Sequence, residues 1–268
     1  MLRAFALIPA ILLTGCIEVD LGASDRYRAD FHYTYDLKPG GRVSLENSNG
    51  SIEIYGWDQD KVEVTGEKYA STEERLEDVK IDIRNQPDLI DIRTINHFNT
   101  GLFSNTGARY TIRVPRSARL DRIMTSNGRI DIRDVDAGAR LHTSNGRIQG
   151  ERIRGGVDAE TSNGRIELHE VEGAISAQSS NGPITLALLK PPADNLRAET
   201  SNGPITLRLP PDTGARLEAS TSNSRITADF DITGHARIDR HRISGDIGKG
   251  GPAIDLHTSN GAIRIQRY

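Results

Sequence analysis

Three arginines stand eighteen residues apart, at 129, 147 and 165, and Asp131, Gln149 and Glu167 follow them at a spacing of two. Arg225 holds the same place in a later copy of the pattern. Residues two apart share one face of an extended strand, so the pattern predicts a column of guanidinium groups beside an acidic or amide column. Arg129, Arg147 and Arg165 are therefore candidates for an anion-binding strip, gripping an anionic glycan or lipid head group through charge-assisted hydrogen bonds. The alternative is a solvated face whose charges offset one another.

The other chemistry-bearing residues are dispersed. The seven histidines stand at 32, 97, 142, 169, 235, 241 and 257, and none has a neighbour at zinc-ligand spacing. A Gly-x-Ser-x-Gly elbow, a P-loop and a calcium-roll nonapeptide are absent, and Gly248-Lys249-Gly250-Gly251-Pro252 lacks the P-loop spacing. The outward acids are single, separated by Arg, Ser and Thr, so paired carboxylates for polysaccharide cleavage are not set up. Thirty-four Lys and Arg against 37 Asp and Glu, a net charge of −3, argue against nucleic acid as partner. The sequence assigns no catalytic residue, metal ligand or cofactor, and it reads as non-enzymatic.

The only cysteine, Cys16, ends the run Leu13-Thr14-Gly15-Cys16, behind Arg3 and the short apolar stretch Ala4 to Leu13. That run resembles the lipobox of bacterial lipoproteins, in which the cysteine is lipidated and becomes the mature N-terminus. The resemblance implies a signal peptide over 1–15, a lipidated Cys16 (palmitate among its acyl chains) and a tether over 16–26. Several acyl chains anchor stably, at about 0.8 kcal/mol per buried CH₂. The ten residues after Cys16, 17–26, reach at most ~35 Å, keeping the domain near the membrane. The same resemblance implies the outer membrane, because Ile17 stands where an Asp in such lipoproteins signals inner-membrane retention.

The elements that would position the surface columns form a repeat. Ser-Asn-Gly recurs with Asn at 49, 127, 145, 163, 181, 202 and 260, and Asn223 carries Ser224 instead of Gly. From Asn127 the spacings are 18, 18, 18, 21, 21 and 37; the last approximates two periods, with Ser244-Gly245 where a degenerate copy would fall. Three residues after the Asn stand isoleucines, as at 130, 148 and 166; apolar or small residues also sit five after it and six and four before it, and in the three copies from Asn127 to Asn163 Val135, Ile153 and Val171 sit eight after it. This is period-two strand patterning, broken by Gly or Pro turns that absorb the insertions.

The pattern predicts an all-β fold, a β-solenoid of 18–21-residue coils over 119–268. An antiparallel meander would need a second apolar layer that the chain does not supply. At ~4.8 Å per coil, Asn127 to Asn260 would span seven coils and roughly 34 Å. Asn49, Asn127, Asn145, Asn163, Asn181, Asn202, Asn223 and Asn260 would form a structural turn ladder, with Asn and Gly chosen because they tolerate positive φ.

The stretch 27–118 differs. Ten of the aromatics lie between Tyr27 and Tyr110, and alternation predicts strands near 29–37, 42–47, 51–56, 61–67, 79–85, 88–94 and 108–115. Ser71 to Glu74 predicts a capping box and a short helix to about Val79. The region reads as an aromatic-packed β cap with the first coils. The run Asn47 to Asp58 (NSNGSIEIYGWD), then Lys61-Val62-Glu63-Val64, then Tyr110 to Pro115 and the Thr-Ser-Asn-Gly-x-Ile copies resemble the bacterial β-strand-repeat "putative adhesin" family, a domain of unknown function, over nearly all of the mature chain. The resemblance implies an envelope-located, β-solenoid-like fold. The chain departs from it at Ser224 and around 230–250. Together these readings point to a lipid-anchored envelope protein that binds a glycan or an envelope protein. A stress or assembly factor with protein partners is the alternative, and a polysaccharide-active β-helix enzyme a more distant one.

Overall fold

A computed structural model of the chain describes residues 27–96 and 106–268. Cys16, the signal peptide, the tether, His97, Phe98 and Phe103 lie outside them. The N-terminal part holds β1 (Tyr27–Asp36), β2 (Arg42–Glu46), β3 (Ile52–Trp57), β4 (Lys61–Ala70), α1 (Glu73–Asp78), β5 (Lys80–Gln86), β6 (Leu89–Ile95) and β7 (Gly107–Pro115). Six strand pairs follow: β8 (Arg119–Thr125) and β9 (Ile130–Val135), β10 (Ala139–Thr143) and β11 (Ile148–Ile153), β12 (Val157–Thr161) and β13 (Ile166–Val171), β14 (Ile175–Ser179) and β15 (Ile184–Ala187), β16 (Leu196–Thr200) and β17 (Ile205–Leu209), β18 (Ala215–Thr221) and β19 (Ile226–Ala228). The chain ends with β20 (Ile232–Ile238), β21 (Arg242–Ile247), β22 (Ala253–Thr258) and β23 (Ile263–Arg267).

The strands form two sheets, and each coil gives one strand to each. Sheet A runs β1-β4-β7-β3-β9-β11-β13-β15-β17-β23-β19, and sheet B runs β20-β21-β18-β22-β16-β14-β12-β10-β8-β2-β6-β5. Successive coils pair in parallel and in register: Ile148 lies beside Ile130 and Ile166, and Ala159 beside Leu141 and Ala177. Like side chains therefore meet like, and the isoleucines and leucines of both sheets close one core in which Ile130, Ile148, Ile166, Ile184, Ile205 and Ile263 have no exposed surface. This is the β-solenoid that the periodicity predicts.

An unexpected detail explains why the third inward position falls eight residues after the Asn. Asp134, Arg152 and Glu170 take left-handed backbone, with φ of 61°, 54° and 55°, at equivalent places in β9, β11 and β13. Each inserts one residue and flips the face on which the strand's next side chain points, so Val135, Ile153 and Val171 are buried.

Coil order departs from the expectation at both ends. The C-terminal coil β22–β23 inserts between β16–β17 and β18–β19. Ser244-Gly245 is not a degenerate coil: β21 runs antiparallel to β18 and forms a hairpin with β20. Asn127 and Asn260 are thus five coil steps apart rather than seven, about 24 Å at ~4.8 Å per strand. At the other end, β2–β3 is threaded between β6–β7 and β8–β9. Antiparallel β4 and β1 then extend sheet A, and β5 extends sheet B. The cap's strands fall where alternation places them. Its helix does not start with the capping box, because the N-cap is Thr72, whose hydroxyl accepts from the Arg75 N–H.

Candidate functional site

Eight asparagines form one unbroken column along a corner of the solenoid. Asn127 Nδ2 donates to Asn49 Oδ1 at 2.6 Å, and the chain of amides continues through Asn145, Asn163, Asn181, Asn202, Asn260 and Asn223 at 2.7–2.8 Å. Asn49 closes the end on the Thr106 carbonyl at 3.1 Å. Beneath them lies a second ladder. Thr161 Oγ1 donates to the Gly146 carbonyl of the preceding coil at 3.1 Å and accepts from the Gly164 N–H at 3.2 Å. Thr143, Ser179, Thr200 and Thr258 repeat both bonds. With their amides spent on one another, the asparagines are a structural corner.

The corner glycines are present for a reason other than the predicted one. Gly128, Gly146, Gly164, Gly182, Gly203 and Gly261 do not have positive φ; of the Ser-Asn-Gly glycines only Gly50 does, at 120°. They are required because the corners nest: a Cβ on Gly164 would lie 1.6 Å from the Gly146 carbonyl oxygen. Gly164→Ala should cost about 1–3 kcal/mol or more, the range for forced overpacking, read as a fall in the denaturant midpoint with the m-value unchanged.

The arginine strip exists as a column, but each member has an acidic partner. Arg129 binds Glu53 and, through Nε, Asp131 at 3.0 Å. Arg147 lies 3.8 Å from Asp131, and Arg165 lies 3.5 Å from Glu167. Arg225 is set apart by Pro183, Pro204 and Ala262, which fill the same position in the intervening coils. Asp131, expected to face solvent, is 8% exposed beneath these arginines. Hydrogen bonding by Glu53 raises the Arg129 pKa. Because Arg147 is 44% exposed and its contact is long, Arg147→Ala should change unfolding free energy by no more than about 1 kcal/mol.

A denser charge ladder, missed in the sequence, runs along the turns after sheet A. Arg116 binds Asp58 at 2.9 Å and lies 3.6 Å from Asp134; Arg152 binds Asp134 at 2.7 Å, Arg154 binds Asp136 at 2.7 Å, and Lys190 binds Glu172 at 2.9 Å. From the β9 level to the β15 level the sign alternates from coil to coil, while Asp58 and Asp136, on the adjacent β3 and β9 levels, are both acidic. The Arg152 hydrogen bond holds the Asp134 carboxyl below its usual range. A depressed carboxylate contributes stability above its unfolded pKa and loses it as pH falls through the folded value.

The surface with the form of a binding site is the outer face of sheet B. Strand β8 carries one extra residue: Leu120 and Ile123 both point inward, and its register slips against β2 and β10. The bulge leaves Asp121 and Arg122 together on the outer face. A groove of about 510 Å³ runs past Asp121, Arg140, Asp158 and Ser176, and a second of about 360 Å³ past Arg122, Met124, His142 and Glu160. A third, of about 240 Å³, joins them through Asp121 and Arg122 to Arg42 and Asp91. Further along, Glu160, Gln178, Glu199 and His257 line another of about 250 Å³. The lining alternates in sign, with Arg140 3.4 Å from Asp158 and His142 Nδ1 3.4 Å from Glu160. The sequence signal for this site was the three-residue step from Leu120 to Ile123.

The remaining histidines and aromatics are placed separately. Ser220 Oγ meets His257 Nδ1 at 3.0 Å, but the neighbouring acid, Glu199, is bound to Arg197 at 2.7 Å. His32 faces Glu63 at 3.4 Å. Among the described residues no group of three or more His, Cys, Asp or Glu could hold a metal, and no helix is long and apolar enough to cross a membrane. Two of the cap aromatics pack inward: Tyr110 is 1% exposed, bonded to Thr94 Oγ1 at 2.6 Å, and its pKa is raised by burial. Tyr69 is buried beneath the Arg109 guanidinium.

The fold is thus a two-sheeted β-solenoid of parallel coils with polar corner ladders and a grooved outer face on sheet B. Residues 122–266, more than half of the chain, match the family described as Toastrack DUF4097, and the chain belongs to that family. Two solved structures are similar to it. One is a "putative cell adhesion protein" from Clostridium sporogenes ATCC 15579, 14% identical, aligned over 90% of this chain and 100% of its own, with a TM-score of 0.42. The other is a "putative adhesin" from Bacteroides fragilis NCTC 9343, 12% identical, aligned over 90% and 97%, with a TM-score of 0.43. Likeness at that level carries no functional weight. No curated protein matches the chain.

Proposed function

We propose that the chain is a non-catalytic binding scaffold of the bacterial cell envelope, of adhesin type, anchored through lipid on Cys16 to the outer membrane. Its reading surface is the outer face of sheet B. The observation that supports this is the β8 bulge, which breaks the otherwise unbroken register of the parallel strands of sheet B and lines three adjoining grooves with Asp121 or Arg122. Bulges re-aim side chains beside functional sites. The groove linings hold no Phe, Tyr or Trp ring on which a neutral sugar could stack. Their closely alternating charges favour an envelope protein or a charged glycan.

The test is an envelope pull-down and a glycan array with the parent and an Asp121→Ala/Arg122→Ala double variant. Binding should fall at least tenfold in the double variant with its melting temperature unchanged. Binding that survives this change but is lost with Arg129, Arg147 and Arg165 would move the site to sheet A. Turnover of a polysaccharide would overturn the non-catalytic reading. Cys16→Ala should release the protein from membranes.

A further inference from the structure

The two sheets end in four edges, and they are unequal. β19 has only three residues, and the N–H of its first, Ile226, already donates to the Arg240 carbonyl. β20 is bulged, its register slipping between Thr233 and Arg237. β5 is three residues shorter than β1 and starts on Lys80, the residue type most used to blunt a strand edge. β1 has ten residues, all paired without a bulge to β4, and it ends sheet A with no strand on its other side among the described residues. It contains no proline, glycine or lysine. Along it Phe31, Tyr33 and Tyr35 form a row of rings, with centroids 6.1 and 6.5 Å apart, and Tyr27 and Tyr33 are 42% and 37% exposed. Long, flat, aromatic edges are templates for another strand.

We infer that β1 is an interface for a second copy of this chain, the two β1 strands pairing antiparallel about a two-fold axis so that sheet A continues across both molecules. The residues of the strand choose the register. An odd offset would set the aromatic row against the charged one. Of the even registers near the centre, that centred on Asp30 puts Asp30 against itself across the axis, and that centred on Tyr33 puts Asp30 against Asp36, both like-charge pairs that destabilise. Centring on His32 sets Arg28 opposite Asp36 twice and Phe31 opposite Tyr33 twice. Centring on Phe31 offers only Asp30 opposite His32, so the His32 register is the one proposed. One strand pair buries less than the roughly 1,200 Å² of standard stable interfaces, so the dimer is weak and depends on concentration.

Cysteine placement tests both the pairing and its register. In a Cys16→Ser background, to exclude that thiol, His32→Cys and Thr34→Cys are purified as otherwise full chains and oxidised mildly. Directly opposed residues have Cα atoms about 4.5–5.5 Å apart, within disulfide reach of about 4.4–6.8 Å. Residue 34 would face residue 30 and lie far from its own copy. The His32 variant should give a covalent dimer on a non-reducing gel, and the Thr34 variant at least tenfold less. Without any cysteine, Tyr33→Lys should weaken the dimer at least tenfold in sedimentation while leaving the circular dichroism unchanged. Equal cross-linking of both variants, a monomer at every concentration, or a ladder of larger oligomers from head-to-tail stacking would overturn the two-fold β1 interface. None of these readouts depends on the sheet B groove.

Discussion

A chain ending at Gly251 should keep its coils up to Leu209 and lose order from Pro210 onward. The deleted segment is the coil that fills the level between β16–β17 and β18–β19. It takes with it Ile254, Leu256, Ile263 and Ile265, each at most 2% exposed, and full burial of such a side chain is worth about 1.5–3 kcal/mol. It also removes Asn260, the link between Asn202 and Asn223 in the corner ladder, and the N–H that Tyr268 donates to the Leu209 carbonyl. In a repeat array each coil is stabilised mainly by its neighbours, so β18, β19 and the β20–β21 hairpin would be left holding only each other. Hydrogen exchange should show residues 215–247 unprotected and 130–200 as protected as in the parent. Protection of both regions would mean that β18–β19 has dropped one level onto β16–β17 and that the inserted coil is dispensable.

That competing outcome explains why coil order was not legible in the sequence. Leu217, Ala219 and Asn223 would stack on Leu196, Ala198 and Asn202 as well as Ile254, Leu256 and Asn260 do, because the repeat makes every coil a sterically acceptable neighbour of every other. What decides the order lies in the irregular linkers, 210–214 and 229–252, where there is no period to read. The core register was legible, since a period of two with isoleucine three residues after each Asn leaves one choice of inward face. The left-handed column at Asp134, Arg152 and Glu170 was visible only as the offset of eight. The corner glycines were recognised as necessary for the wrong reason, because a contact between corners eighteen residues apart leaves no mark on the local conformation. The charge ladder could have been found: Asp58, Asp136, Arg154, Glu172 and Lys190 each stand nine residues after an Asn of the repeat. The groove could have been found from β8 alone, where the inward positions stand three residues apart.

Ile166→Asp is expected to be the most damaging single substitution in the regular coils. Ile166 has no exposed surface and lies between Ile148 and Ile184 in sheet A. The nearest polar ladder cannot rescue a carboxylate there, because the Thr161 hydroxyl is already committed to the Gly146 carbonyl and the Gly164 N–H. An unpaired charge in such a site costs at least several kcal/mol, a large share of the roughly 5–15 kcal/mol that holds a domain folded. The damage should spread along the axis, since Ile166 is one layer of a continuous stack and its neighbours lose packing when it leaves. The expected observation is loss of the cooperative melt at neutral pH with the cap at 27–115 still protected in hydrogen exchange. Burial raises the pKa of the introduced carboxyl in the folded state, so part of the lost stability should return as pH falls below that raised value and the group becomes neutral. A variant that melts like the parent at pH 7 would show that position 166 faces water and that the inward register of sheet A is shifted by one.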